Sequence, residues 1–185
     1  RFRGYLGKAR LPMQIDVGFD DALLPGPTPV MLPSLLDLPP AQILGYTLES
    51  LIAEKLQIMV ALGEVNSRMK DFYDLWLLAT QQPFQGTPLA EAIAATFERR
   101  ATPLAWPVAA LQPAFASARR ETQWQAFMRR SRLKEPALQE AILVINRFLK
   151  PPLSALAAGR RFEAQWPACG PWEELWPEAR CSSRR

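Results

Sequence analysis

The chain has 185 residues, of which 49% are hydrophobic and 22% charged, the make-up of a globular domain rather than of a disordered or fibrous chain. Histidine is absent and the only cysteines are Cys169 and Cys181, which excludes His-based triads and general bases, His-containing zinc sites and a disulfide framework. Chemistry is left to Asp, Glu, Lys, Arg, Tyr and Ser, and the net charge of +4 is compatible with phosphate-bearing partners and equally with a bland basic surface.

No apolar run approaches the roughly 18 to 20 residues that cross a bilayer. The chain opens on Arg1 without the features of a signal peptide. It is read as lacking sequence upstream, and the cytoplasm is the expected location.

Residues 2–19 read as a β-hairpin turning at Gly7-Lys8, with Leu11, Met13, Ile15 and Val17 alternating with polar or small positions. Asp16 falls on the face opposite Ile15 and Val17. Residues 20–40 carry six prolines, Pro25, Pro27, Pro29, Pro33, Pro39 and Pro40, and are expected to be a connector with short edge strands, because proline cannot serve a central ladder. One more short strand is expected over 42–46.

The period then turns helical. Thr47 caps a predicted helix over 48–62 that stops at Gly63, and Asn66 or Ser67 caps a second over 68–80. Thr87-Pro88 opens a third that ends near Arg100. Further helices are predicted over 119–130 and 136–149, with Pro151-Pro152 as the break. From Gly159 the chain is rich in Trp, Pro and Arg without a period; Trp166, Trp172 and Trp176 are expected to pack back on the bundle, and 181–185 to be disordered. The expected fold is α+β, a piece of mixed sheet (a β-hairpin plus short strands) followed by a helical bundle. Its divisions are residues 1–46 as sheet, 47–158 as helical bundle and 159–185 as tail.

On a 100° helical wheel, Leu48, Leu51, Ile52, Leu56, Met59 and Leu62 form one apolar stripe, and Lys55 falls at about 340°, near its middle. A lysine there either snorkels its ammonium outward or meets an anion. The next helix opens on Arg68, Lys70, Asp71 and Asp74. Acidic residues in a first turn complement the helix dipole, but cations there do not, so a structured polar network is expected at this end.

The string Tyr46, Glu49, Ala53-Glu54-Lys55-Leu56, Met59, Gly63 and then Asn66-Ser67-Arg68-Met69-Lys70-Asp71-Phe72-Tyr73-Asp74-Leu75 resembles the AbiEii/AbiGii nucleotidyltransferase toxins, of the polymerase-β-like superfamily. Gln14-Ile15-Asp16-Val17-Gly18-Phe19 is similar to that family's carboxylate-bearing strand. The likeness extends more loosely through 94–100, Trp124 with Phe127, and 166–172.

The resemblance implies nucleotidyl transfer from a nucleoside triphosphate, with Mg²⁺, to an RNA acceptor such as tRNA. It also implies an antitoxin partner and a role in abortive infection against phage. By the same resemblance Asp16 is a metal-site carboxylate or the general base, and Lys55 holds the triphosphate. Asp71 orients Lys55 or the nucleotide, Arg68 and Lys70 assist phosphate contacts, and Glu49 and Asp74 give structural support. The family's glycine turn with an Asp-x-Asp pair is not in this chain, and Asp20 stands where glycine is usual. The likeness therefore covers the family's C-terminal portion and implies that this portion is inactive by itself. A catalytically inactive helical protein-binding module is the alternative, and a relative that modifies small molecules is a third.

Overall fold

The structure, a computed structural model, describes residues 1–15, 17, 22–34 and 37–174. The alternating N-terminal residues form strands β1 (Phe2–Leu6) and β2 (Ala9–Met13), paired antiparallel from Phe2↔Met13 to Leu6↔Ala9. Gly7 makes the turn at φ +58°, a backbone region that a side chain disfavours. Within the proline-rich stretch, β3 (Thr28–Leu32) pairs antiparallel with β4 (Ala41–Gly45), so edge pairing tolerates Pro29. β2 ends at Met13, and Ile15 and Val17 lie beyond it, both exposed. The expected continuation of that strand is not present at Ile15 and Val17, and its positions 16, 18 and 19 lie outside the described residues. No described residue of β1–β4 belongs to the buried core; Ser50 Oγ, donating to the Leu24 carbonyl at 3.3 Å, ties the helices to the segment that follows β2.

The helical part is built from α1 (Leu48–Leu62), α2 (Met69–Gln81), α3 (Gly86–Arg99), α4 (Ala118–Ser131) and α5 (Leu138–Ala157). Thr47 Oγ1 accepts from the Ser50 amide and caps α1, and Gly63 closes it at φ +50°. Asn66 Oδ1 accepts from the Arg68 amide at 2.9 Å and fixes the entry to α2. α3 starts at Gly86, one residue ahead of the expected Thr87-Pro88 cap. α1 packs chiefly against α3, and α2 against α5. Between them Ile52, Leu56, Phe72, Leu75, Ile93 and Phe148 are wholly buried.

The helix expected to break at Pro151-Pro152 continues through both prolines to Ala157. Proline lacks an N–H, so Pro152 leaves the Phe148 carbonyl without its usual helical partner. Trp172 Nε1 takes that place, donating to Phe148 O at 2.7 Å while its ring stacks on the Phe148 ring at 5.7 Å. The tail thus supplies the hydrogen bond that the prolines withhold.

β5 (Phe84–Gln85), β6 (Ala164–Trp166) and β7 (Glu173–Glu174) form a small antiparallel sheet that carries the tail back across the bundle. Trp166 is buried and donates to the Ala79 carbonyl at 2.8 Å, one of the orphan acceptors at the end of α2. The packing expected of Trp166 and Trp172 is thereby present; Trp176 and 181–185 lie outside the described residues. Among the described residues no helix is long and apolar enough to cross a membrane.

Candidate functional site

α1 buries a wider and rotated arc than its leucines suggest. Ile52, Ala53, Leu56, Gln57 and Met59 face inward, and Gln57 is satisfied there by donating to Thr102 Oγ1 at 2.8 Å. Leu48, Leu51 and Leu62 remain more than a third exposed. Lys55, expected near the middle of the apolar stripe, therefore sits at the margin between the buried arc and the exposed leucines. Its side chain is 11% exposed.

From that margin Lys55 meets α2. Its Nζ lies 2.8 Å from Asp71 Oδ1 and 2.6 Å from Asp74 Oδ2. Asp71 and Asp74 are three residues apart, so one helical face presents both carboxylates to the same ammonium. Each carboxylate has a second cation. Arg68 Nε reaches Asp71 Oδ2 at 2.6 Å, and Lys70 Nζ reaches Asp74 Oδ2 at 2.6 Å. Lys55 and Asp71 are the buried members, whereas Arg68 and Lys70 lie mostly in solvent.

Burial is the largest single influence on the Lys55 ammonium and lowers its pKa. The hydrogen bonds to Asp71 and Asp74 and the charges of both together outweigh it and hold the pKa above the ordinary lysine value. For Asp71, burial raises the pKa, and the hydrogen bonds from Lys55 and Arg68 with their charges prevail and hold it below the ordinary carboxylate value. Both groups are thus ionised across the neutral range.

The structure brings together four of the sequence candidates, Lys55, Arg68, Asp71 and Asp74, with Lys70 on the outer side. Glu49 stands in the first turn of α1, about 120° around the helix from Lys55 by the helical period, and is not part of the ion cluster. Asp16 lies outside the described residues. Asp71 and Asp74 each already accept from two cations, so they do not fit a divalent cation. Among the described residues no three carboxylate or cysteine groups come together as a metal site.

A groove of about 560 Å³ opens beside the cluster, between the start of α2 and α4. Arg68, Lys70 and Asp71 line one wall; Gln123, Phe127 and Arg130 line the other. The three α4 residues were not candidates in the sequence. Their signal is the spacing 123, 127, 130, which places them on one helical face, but nothing in the sequence pairs that face with residue 68.

Residues 1–157 match the family model described as nucleotidyl transferase AbiEii toxin, type IV toxin–antitoxin system. No curated protein and no solved structure matches the chain.

Proposed function

The chain belongs to the nucleotidyl transferase AbiEii toxin family of type IV toxin–antitoxin systems, and from that premise we propose that it serves the transfer of a nucleotide from a nucleoside triphosphate to an RNA acceptor, tRNA in particular. In that reaction an acceptor hydroxyl oxygen bonds to the α-phosphorus. The bond from that phosphorus to the bridging oxygen breaks, pyrophosphate leaves with the electron pair, and the hydroxyl proton passes to a base. The observation that carries the reading is the fixed ammonium of Lys55, charged at neutral pH, at the margin of the α1–α2 joint.

An ammonium has three N–H donors. Asp71 and Asp74 occupy two of them at 2.8 and 2.6 Å, which leaves one for a phosphate oxygen. The two carboxylates orient Lys55 and keep it protonated, so its charge is in place before the triphosphate arrives. Arg68 and Lys70, on the outer side of the two carboxylates, extend positive charge from the clasp toward solvent. Asp16 as base and as ligand of Mg²⁺, which would polarise the phosphates, belongs to this reading through the family alone. Asp71 and Asp74 serve the lysine rather than the metal. An antitoxin partner and action in abortive infection, in the cytoplasm, complete the proposal.

A second reading is favoured by one observation, that Lys55 is already held by two carboxylates. On that reading the cluster is a structural clasp between α1 and α2, and the chain is a catalytically inactive helical module that binds a protein. The test is transfer of label from each of the four nucleoside triphosphates to total tRNA by the full-length gene product that carries these residues. Labelled tRNA with at least one nucleotide supports the enzyme; no labelled RNA with any of the four supports the inactive module.

A further inference from the structure

The groove between α2 and α4 has a lining that the ion cluster alone does not explain. α4 turns Trp124 and Met128 into the core. The adjoining face, through Gln123, Phe127 and Arg130, looks across at the start of α2. Arg130 is exposed and makes no ion pair among the described residues. Arg68 spends its Nε on Asp71 and keeps its outer nitrogens. Gln123 Oε1 accepts from Arg120 Nη1 at 2.8 Å, which leaves the amide NH₂ of Gln123 as a donor. Arg120 is itself fixed, since it also bonds the Glu64 carbonyl and lies over the Phe115 ring at 5.0 Å. The groove is therefore lined by donors. Its one carboxylate, Asp71, is already neutralised from behind by Lys55.

Four cations, Lys55, Arg68, Lys70 and Arg130, stand here against two carboxylates, Asp71 and Asp74, so the joint carries net positive charge. The outer cations are spread over both walls of the groove. Arg68 and Lys70 stand on one wall, each beside its own carboxylate, and Arg130 comes from the opposite wall. Charge laid out in this way follows a chain of phosphates better than it grips one compact triphosphate. Phe127, half-buried against the core, adds an aromatic edge to the groove and packs on Tyr73 at 6.0 Å and Trp124 at 5.8 Å between ring centroids. A basic track with an aromatic face is the arrangement that takes single-stranded nucleic acid, whose bases are free to stack; a duplex keeps its bases within.

We infer that the α2–α4 groove binds a single-stranded nucleic-acid segment, with its phosphates on Arg130, Arg68 and Lys70 and a base against Phe127. As the seat of the acceptor strand, this rests on the proposed transfer reaction for its purpose, but binding is measured without turnover.

The experiment is fluorescence anisotropy of the full chain with a labelled single-stranded RNA of about 12 nucleotides, a length in the range that single-strand-binding proteins cover. A blunt duplex of equal length serves as comparison, and unlabelled nucleoside triphosphate as competitor. Arg130→Glu replaces an exposed side chain, and Phe127→Leu keeps the volume apolar while removing the ring; circular dichroism establishes that both variants are folded. Strand affinity is expected to fall about tenfold in Arg130→Glu, in line with loss of a phosphate contact and reversal of its charge, with a shallower salt dependence. It should fall about fivefold or more in Phe127→Leu, the size of one lost base–aromatic stack. The duplex should bind more weakly than the strand, and nucleoside triphosphate should not displace it.

Folded variants that bind the strand as the parent does overturn the inference. Equal affinity for the duplex, or displacement by the triphosphate, does the same. Strand binding in a protein that transfers no nucleotide would count against the proposed reaction alone. Transfer with strand affinity indifferent to both substitutions would count against the groove alone.

Discussion

Lys55 of α1 and Asp71 of α2 stand 2.8 Å apart with side chains only 11% and 5% exposed, and their ion pair is the polar joint between the two helices. Either member alone is a largely buried charge left with its second partner only, Asp74 for Lys55 and Arg68 for Asp71. Lys55→Met and Asp71→Asn are each expected to lower unfolding stability, by less than the roughly 3–5 kcal/mol of a buried pair broken with no other partner at hand. The double variant should lose less than the sum of the two, and a urea-unfolding double-mutant cycle measures that coupling. Additive losses would show that the two side chains do not depend on one another.

The same pair sets a pH window. Asp71 has its pKa lowered on folding, so its contribution is present above the unfolded carboxylate value of about 3.9 and is lost as pH falls through the lower, folded one. Lys55 has its pKa raised, so its contribution is full below the unfolded lysine value of about 10.4 and is lost as pH rises through the folded one. Thermal midpoints followed across pH should therefore hold a plateau through neutrality, with the Asp71 contribution disappearing only below about pH 4. Asp71→Asn should flatten that acid limb; an unchanged acid limb would assign it to other carboxylates.

The tail offers an independent check on the fold. Trp172→Phe keeps an aromatic ring over Phe148 but removes the indole donor, leaving the Phe148 carbonyl unpaired behind Pro152. A loss of about 1–3 kcal/mol is expected in chemical unfolding, the cost of an unsatisfied buried acceptor. Pro152→Ala restores a backbone N–H at the position that serves that carbonyl. In its presence the effect of Trp172→Phe should shrink.

These relationships were unequally legible in the sequence. The cap and stop of α1 announced themselves, because Thr47 and Gly63 act on their own immediate neighbours. α2 instead has Arg68 at its N-cap without a side-chain cap bond, and Asn66, expected with Ser67 as its cap, accepts from the Arg68 amide ahead of the helix. The ion cluster was half legible: the charge pattern 68, 70, 71, 74 and the odd position of Lys55 are local, but their meeting requires the α1–α2 crossing. The apolar stripe of α1 misled by about a quarter turn. Periodicity records which residues are apolar and not which face finds a neighbour, and Leu48, Leu51 and Leu62 find too little. The proline break failed for a non-local reason, since the donor that serves Phe148 arrives from Trp172, 24 residues later. The α4 wall of the groove was invisible for the same reason.

The central claim is that the clasped Lys55 ammonium serves nucleotide transfer and not only the α1–α2 joint. Its most direct measurement is label transfer from nucleoside triphosphate to tRNA by Lys55→Met in the full-length product. The assay is run at a temperature where unfolding curves show the variant at least nine-tenths folded, roughly 1.4 kcal/mol above its midpoint. A fall of about a hundredfold or more in transfer per folded molecule is expected, the scale of one removed phosphate-stabilising charge, with the parent level not regained by adding Asp71→Asn. Transfer at the parent rate by folded Lys55→Met would contradict that claim and leave Lys55 as a structural clasp.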